Sequence, residues 1–312
     1  MTTRRQFMTL SAAAAAAAAG LLPAGLLTGG TAWAQTAAAM QTRKIPSSGE
    51  AIPVIGMGTS GSFQVGETAA ERDPLREVLR RFFAGGATVI DTAPSYGTAE
   101  AVMGDLLAEQ DLTSRAWLAT KLSGVKGREA GLAQFAGSLT RLKTDKVALL
   151  AVHNLGDWKE QFEVIRQLKA EGKVRYSGLT HYLESGHDAL VEVVRATRPD
   201  FLQINYSVST RGAEKRVLPV AQELGVAVMI NRTFEDGQLF ARVKDKPLPA
   251  WAGEAGIGSW AQAFLKFALS HPAVTVVIPA TGKPDRQSDN LKAGSGPTLT
   301  QAQRDDLIQL IG

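Results

Sequence analysis

Eight short apolar runs alternate along the chain with polar loops and with segments whose apolar residues recur at helical spacing. Continuous apolar strands that alternate with helices are typical of a parallel sheet that is buried on both faces. We therefore predict strands at residues 52–56, 87–90, 116–120, 147–152, 174–179, 201–204, 226–230 and 274–278. The predicted helices lie at residues 74–83, 98–109, 129–142, 158–170, 185–197, 213–224, 257–270 and 283–292, with a last one at 299–311.

Eight strand–helix units within about 250 residues favour an α/β fold of the (β/α)8 TIM barrel type over a doubly wound sheet. Gly56 and Gly58, near the end of the first predicted strand, lack the full spacing of a dinucleotide-binding turn, which argues against a Rossmann fold. The alternation is interrupted once. Residues 232–256, which are rich in charged residues and proline, separate the seventh strand from its helix. In a barrel the chemistry is expected at the carboxyl ends of the strands.

The first 34 residues have the pattern of an export signal. The arginine pair Arg4-Arg5 precedes an apolar run at residues 12–27 and a small-residue site at residues 32–34. We predict a twin-arginine (Tat) signal peptide at residues 1–34, cleaved before Gln35, and a barrel domain at residues 35–312. The expected consequences are export by the Tat machinery, a periplasmic location and no stable membrane association after cleavage. The alternative is a membrane anchor, but the run is mostly alanine and only weakly apolar.

The composition bears on the number of domains, the cellular compartment and the binding partners, and it leaves the fold prediction unchanged. The 312 residues, 45% of them hydrophobic, suit one large domain or two small ones. The chain has no cysteine, which fits an oxidising compartment where stray thiols could mispair. The net charge is +4, and the leader carries two of the arginines and no acid, so its removal leaves +2. Without a basic run that includes aromatic residues, we expect no nucleic-acid partner.

Ionisable side chains follow three consecutive predicted strands. Asp91 directly follows the second strand and Tyr96 lies on the next loop, while Lys121 follows the third strand and His153 the fourth. Each residue alone has an ordinary explanation, because a lysine after a strand is usually solvated and a histidine there is often only hydrogen-bonded. Together they form a set suited to proton transfer.

The four side chains have complementary acid–base properties. A tyrosine, with a reference pKa near ~10, is a poor acid near neutral pH. A lysine ammonium beside the phenol would lower that pKa, and Asp91 would hold Lys121 charged and in place. A neutral His153 could donate a hydrogen bond to a carbonyl oxygen and orient it toward Tyr96. With a source of hydride, this set could reduce a carbonyl group.

Three segments resemble the aldo-keto reductases in order and spacing: residues 91–97 (DTAPSYG), residues 119–121 (ATK) and residues 152–153 (VH). The resemblance extends from Lys44 to the final helix. It implies that the protein reduces a small-molecule aldehyde or ketone to an alcohol by hydride transfer from NADP(H), without a metal. It also implies that Tyr96 is the proton donor, tuned by Lys121 and Asp91, and that His153 orients the carbonyl.

The resemblance extends to the cofactor site. Gln203 resembles the glutamine that binds the nicotinamide carboxamide, and residues 278–290 resemble the segment that binds the adenosine end. The residues implied in that segment are Pro279, Thr281, Lys283, Arg286 and Asn290. Lys283 and Arg286 near a helix N-terminus would suit a ribose 2′-phosphate, which favours NADP(H) over NAD(H).

Two positions depart from the family pattern. Thr180-His181 stands after the fifth strand where the family usually has Ser-Asn, and Asn231-Arg232 stands after the seventh where it commonly stacks an aromatic ring on the nicotinamide. We still predict that these four residues bind the cofactor. Trp158 and Trp251 are candidate walls of the substrate pocket.

Two other functions remain open. One is a non-catalytic NADP(H)-binding sensor or scaffold on the same barrel. The other is a barrel glycosidase, which needs two carboxylates and would have to pair Asp91 with Glu235 or Asp236.

Overall fold

Eight parallel strands close into a (β/α)8 barrel in the computed structural model, which describes residues 39–311. The predicted signal peptide at residues 1–34 lies outside the described residues. A hairpin precedes the barrel and consists of β1 (Thr42–Lys44) and β2 (Ala51–Pro53). The barrel strands are β3 (Met57–Gly58), β4 (Val89–Asp91), β5 (Trp117–Leu122), β6 (Val147–Val152), β7 (Val174–Thr180), β8 (Phe201–Asn205), β9 (Ala227–Asn231) and β10 (Val274–Val277).

Neighbouring strands in the chain are neighbours in the sheet, from β3 through to β10. Parallel bridges from Ile55 to Val277 and from Gly58 to Ala280 then join the first barrel strand to the last one and close the barrel. The predicted fold class is therefore confirmed.

The helices pack outside the barrel or occupy its loops. They are α1 (Ala69–Ala84), α2 (Ala99–Glu109), α3 (Arg128–Leu142), α4 (Trp158–Ala170), α5 (His187–Thr197), α6 (Val217–Leu224), α7 (Gln238–Arg242), α8 (Trp260–Leu269), α9 (Pro284–Lys292) and α10 (Gln301–Ile311). Within the described range, no helix is long and apolar enough to cross a membrane.

The first predicted strand, at residues 52–56, is wrong as a single element. Residues 51–53 pair antiparallel with β1, and the short strand β3 forms the barrel wall instead. Ile45 and Ile52, both buried, belong to the apolar cluster inside the barrel, so the hairpin covers the amino-terminal end of the barrel. An apolar run cannot distinguish a wall strand from a covering strand, because both are buried.

Several helix boundaries also differ from the prediction, and the largest shifts are at the starts of α1, α6 and α8, with α6 beginning at residue 217 rather than 213. Helix α1 begins at residue 69 rather than at Pro74, because Thr68 and Glu71 form a capping box one turn earlier. Helix α8 begins at residue 260, where the Ser259 hydroxyl accepts a hydrogen bond from the Gln262 amide. The long connection at residues 232–256 contains the short helix α7.

Candidate active site

A large cavity of about 1280 Å³ lies at the carboxyl ends of the barrel strands. Most of its lining residues lie at the ends of β3, β4 and the strands from β6 to β10, or in the loops that follow them. Parallel strands present their carboxyl ends to one side of a barrel, so side chains that are far apart in the sequence meet there. Among the predicted site residues, the lining includes Asp91, Tyr96, His153, Thr180, Gln203, Asn231, Arg232, Pro279, Thr281, Arg286 and Asn290.

Lys121 lies directly behind this lining and is buried. Its Nζ donates to Asp91 Oδ1 at 2.9 Å, to Asp91 Oδ2 at 2.8 Å and to the Thr92 carbonyl at 2.7 Å. Gln203 Nε2 donates to the same Asp91 Oδ1 at 2.8 Å, which ties the β8 end to the β4 end. The predicted pairing of Lys121 with Asp91 is present.

Tyr96 lies between this ion pair and His153. Lys121 Nζ is 5.1 Å from the centre of the Tyr96 ring, and the rings of Tyr96 and His153 are 6.0 Å apart at an interplanar angle of 83°. Burial raises the pKa of Tyr96, and this effect outweighs the lowering by the Lys121 charge, while Asp91 adds a further rise. The predicted lowering of the Tyr96 pKa is therefore wrong in this structure. The prediction underestimated desolvation and left out the opposing effect of the Asp91 charge on the Tyr96 pKa.

His153 is neutral near neutral pH, as predicted. Burial and the nearby charge of Lys121, with a smaller contribution from His181, lower the pKa of His153 to about 4. Its Nδ1 lies 2.7 Å from Ser123 Oγ and 3.4 Å from Ser95 Oγ. Sequence reasoning missed Ser123, although it directly follows β5 and so satisfies the strand-end rule that identified the others.

His181 and Lys283 are not in the cavity lining. His181 turns back into its own loop, where its Nδ1 lies 3.1 Å from the Leu183 carbonyl oxygen. Its ring also packs over Gly186, so closely that a Cβ at Gly186 would overlap it. Lys283 is exposed at the start of α9. Arg286, one turn later on the same helix, does face the cavity.

Aromatic residues in the lining differ from those predicted. Neither Trp158 nor Trp251 faces the cavity, and Trp251 Nε1 donates instead to Asp306 at 2.7 Å. The aromatic residues after β7 and β9 that line it are Tyr182, Phe234, Phe240 and Trp260. The guanidinium carbon of Arg232 lies 5.5 Å from the centre of the Tyr182 ring, and Arg232 also pairs with Asp236 at 2.6 Å.

The lining offers polar groups for a nucleotide. Asn231 Oδ1 and Thr233 Oγ1 are buried, and neither has a hydrogen-bond partner within residues 39–311. Buried polar atoms are normally paired, so unpaired ones in a cavity wall indicate contact with a ligand. Arg286 adds a cation, and Gly61 leaves open space beside its Cα. These residues fit a large, polar, anionic cofactor.

Residues 54–311 match the sequence model of the Aldo/keto reductase family, which covers most of the chain. The chain belongs to the aldo/keto reductase family. Methylglyoxal reductase YeaE of Escherichia coli is 28% identical over 245 residues, which cover 76% of this chain and 84% of YeaE. Aldo-keto reductase YhdN of Bacillus subtilis is 27% identical over 225 residues, which cover 66% of each chain.

Solved structures agree with the sequence comparison. An aldo/keto reductase from Klebsiella pneumoniae, in complex with NADP and acetate, superposes with a TM-score of 0.70 at 28% identity. The match covers 84% of this chain and 93% of that one. An aldo-keto reductase from the same organism, in complex with NADPH, gives 0.72 at 27% identity and covers 87% and 95%. This aldo/keto reductase is accordingly an NAD(P)H-dependent oxidoreductase that acts on carbonyl groups.

Proposed function

We propose that the protein reduces an aldehyde or ketone to the corresponding alcohol with NADP(H), and that Tyr96 is the proton donor. The observation that carries the proposal is the meeting of Tyr96 and His153 at the cavity wall, with the Lys121–Asp91 pair directly behind them. Bound NADPH supplies the hydride that the carbonyl carbon accepts. The remaining steps belong to this chain's own side chains.

Each side chain has a distinct task. Tyr96 gives its hydroxyl proton to the carbonyl oxygen as the π bond breaks and the new C–H bond forms. His153, which is neutral, donates a hydrogen bond from Nε2 to that oxygen and orients it toward Tyr96. Lys121 favours the phenolate that Tyr96 leaves behind, because a cation near the phenolate stabilises its charge. Asp91 keeps Lys121 charged in a buried position.

NADP(H) is favoured over NAD(H) by the charge at the adenosine end of the cavity. Arg286 is a lining residue near the N-terminus of α9, where a cation and a helix end both favour a phosphate. The two Klebsiella proteins in complex with NADP and NADPH support the same choice. On the nicotinamide side, the Gln203 side chain donates to Asp91 through its amide nitrogen. Its amide oxygen can therefore still accept a hydrogen bond from the carboxamide of the nicotinamide.

Turnover distinguishes this proposal from the alternatives. Purified residues 35–312 would be mixed with NADPH and methylglyoxal, a 2-oxoaldehyde chosen because YeaE is a methylglyoxal reductase, and then with simple aromatic aldehydes. We expect NADPH to be consumed in step with alcohol formation. NADPH binding without consumption of any carbonyl would favour the sensor or scaffold. The glycosidase alternative is disfavoured because the Asp91 carboxylate is already bound to Lys121 and Gln203.

We also propose that a twin-arginine signal at residues 1–34 directs the folded protein to the periplasm with NADP(H) already bound. The support is the leader pattern around Arg4 and Arg5. The connection at residues 232–256 lies along one side of the cavity through residues such as Phe234 and Phe240, and could slow escape of the cofactor. Bound nucleotide would also stabilise the folded state before export.

The export proposal has a separate test. Replacing Arg4 and Arg5 by lysine should abolish periplasmic delivery while leaving the activity of the cytoplasmic protein unchanged. Nucleotide would then be measured in the wild-type periplasmic protein after gentle lysis. Unchanged delivery of the Lys-Lys variant contradicts export by this route, and an active but nucleotide-free periplasmic protein contradicts cofactor retention.

A further inference from the structure

The Nδ1 atom of His153 faces hydroxyl groups. Ser123 Oγ lies at 2.7 Å, a good hydrogen-bond distance, and Ser95 Oγ lies at 3.4 Å on an exposed residue. A neutral imidazole has one N–H donor and one acceptor nitrogen, and the partner of one nitrogen decides which nitrogen carries the proton. A carboxylate or carbonyl at Nδ1 would require the proton there and leave Nε2 as an acceptor. A hydroxyl can instead donate to Nδ1.

Ser123 is itself held in an unusual way. It is the first residue after β5, just beyond the last pair of the β5–β6 ladder, Leu122 with Val152. The side-chain amide of Gln134 takes the place of a further strand partner. Gln134 Oε1 accepts from the Ser123 amide nitrogen at 2.7 Å, and Gln134 Nε2 donates to the Ser123 carbonyl oxygen at 2.9 Å. Both backbone groups of Ser123 are therefore fixed by one side chain of α3.

This double contact has a consequence for the Ser123 hydroxyl. A residue after a strand end usually has a mobile backbone, and a flexible serine would sample several positions for its Oγ. With the backbone fixed at both polar groups, the Cβ of Ser123 is fixed as well, and the hydrogen bond between Oγ and His153 Nδ1 then selects the side-chain rotamer. Gln134 therefore contacts Ser123, and Ser123 contacts His153, the residue that the proposed function places next to the carbonyl oxygen.

We propose that Ser123, held by Gln134, is a positioning residue that keeps the His153 proton on Nε2, where it can be donated to the carbonyl oxygen. The proposal rests on the proposed function, because a donor at Nε2 matters only for a reaction at a carbonyl. Neither Ser123 nor Gln134 lines the cavity, so neither touches the reacting atoms. Both act through His153.

The direct test reads the tautomer without any turnover. The imidazole ¹⁵N shifts would be recorded with labelled histidine, and the signals of His153, one of four histidines in the chain, would be assigned with His153→Asn. We expect Nε2 protonated and Nδ1 unprotonated in the wild-type protein, and a mixture of tautomers in Ser123→Ala. Wild-type protein protonated at Nδ1 would overturn the proposal, as would an unchanged tautomer in Ser123→Ala.

Kinetics provide the second readout. Loss of one neutral hydrogen bond corresponds to about a threefold to tenfold fall in kcat for Ser123→Ala, with KM nearly unchanged. Ser123→Thr keeps the hydroxyl and should restore both kcat and the tautomer. Gln134→Met should cause a smaller fall in kcat than Ser123→Ala and a partial shift of the tautomer. Ser95→Ala, the matched control for an exposed and more distant hydroxyl, should cause the smallest change.

The two proposals fail in different ways. Suppose that Ser123→Ala and Ser95→Ala lower kcat equally and that the tautomer in Ser123→Ala is unchanged. Ser123 would then have only a structural role, and the positioning proposal would be overturned. A wild-type protein that never consumes NADPH would overturn the proposed function. The tautomer shift in Ser123→Ala would then still support the positioning of His153.

Discussion

The two halves of the cavity wall are built differently. At the ends of β4, β5 and β6, the polar and ionisable groups bind one another, as the contacts of Lys121 with Asp91 and of Ser123 with His153 show. At the ends of β9 and β10, Asn231 Oδ1 and Thr233 Oγ1 are buried without a partner in the described part of the chain, and Arg286 is exposed. The first half is preorganised by protein contacts alone. The second half is complementary to a polar ligand that the chain itself does not provide.

The difference separates catalysis from binding in energetic terms. Groups that act in a transition state must already be in position, because reorganising them during the reaction would raise the barrier. Groups that bind a cofactor can complete their hydrogen bonds with that cofactor. Changes in the first half should therefore alter kcat or stability, whereas changes in the second half should alter nucleotide affinity.

The largest expected effect follows from removing the proton donor. Tyr96→Phe should lower kcat by about a hundredfold or more, the usual contribution of a general acid, and leave NADPH affinity and thermal stability nearly intact. Stopped-flow turnover and a nucleotide titration on the same preparation measure both. If the variant keeps more than about a tenth of the wild-type kcat, Tyr96 is not the proton donor.

Lys121→Met tests whether the Lys121–Asp91 ion pair contributes to the stability of the fold. The variant leaves the buried Asp91 carboxylate without its charge partner, which typically costs about 3–5 kcal/mol in the free energy of unfolding. Denaturant unfolding measures this cost. The double variant Asp91→Asn with Lys121→Met removes both charges and should recover much of the loss. If the single and double variants are equally stable, an unpaired Asp91 carboxylate does not destabilise the fold.

Arg286→Ala should affect only the binding half. Loss of a charge-assisted contact to the 2′-phosphate should weaken NADPH binding by about tenfold or more and change NADH binding little. Lys283→Ala is the matched control, because Lys283 is near Arg286 in the chain but does not line the cavity. Equal weakening of NADPH and NADH by Arg286→Ala would assign that residue to the adenine or to the fold.

A further expected effect is on the pH dependence. Because the pKa of His153 is lowered to about 4, its protonation should not reduce kcat/KM until the pH approaches that value. Between 6.5, the ordinary histidine pKa, and about 4, the unfolded chain binds a proton that folded His153 does not. Stability should therefore fall as the pH falls through this window, and His153→Asn should reduce that slope. An acid limb near 6.5 that His153→Asn abolishes would contradict a half-buried imidazole that stays neutral.

The sequence predicted which site residues lie at the ends of strands. It did not predict the direction in which their side chains point. Asp91, Lys121 and His153 follow apolar runs, and the barrel rule alone places them together. The orientation of His181 back into its loop could not be read from the sequence, since neighbouring residues after a strand diverge according to local hydrogen bonds. The Gln134 contact links residues eleven positions apart through a loop whose path no pattern reveals.

Burial was the other quantity that the sequence could not supply. The direction of the Tyr96 pKa depends on whether desolvation or the Lys121 charge dominates, and only the packed structure decides this. The first strand was misassigned because Ile52 and Ile55 are both buried, although Ile52 pairs within the hairpin and Ile55 bridges to Val277 of the barrel.

The barrel closes through contacts between its first and last strands, so it cannot form until both ends of the domain are present. Ile55 and Gly58 pair with Val277 and Ala280, and the Arg43 side chain donates to the carbonyls of Leu269 and His271, partners more than two hundred positions away. Such contacts form only after a large loop entropy has been overcome, which slows folding. During synthesis the amino-terminal hairpin must wait for residues 269–280 to leave the ribosome. Until then, the edge of the first barrel strand that pairs with Val277 and Ala280 has no partner.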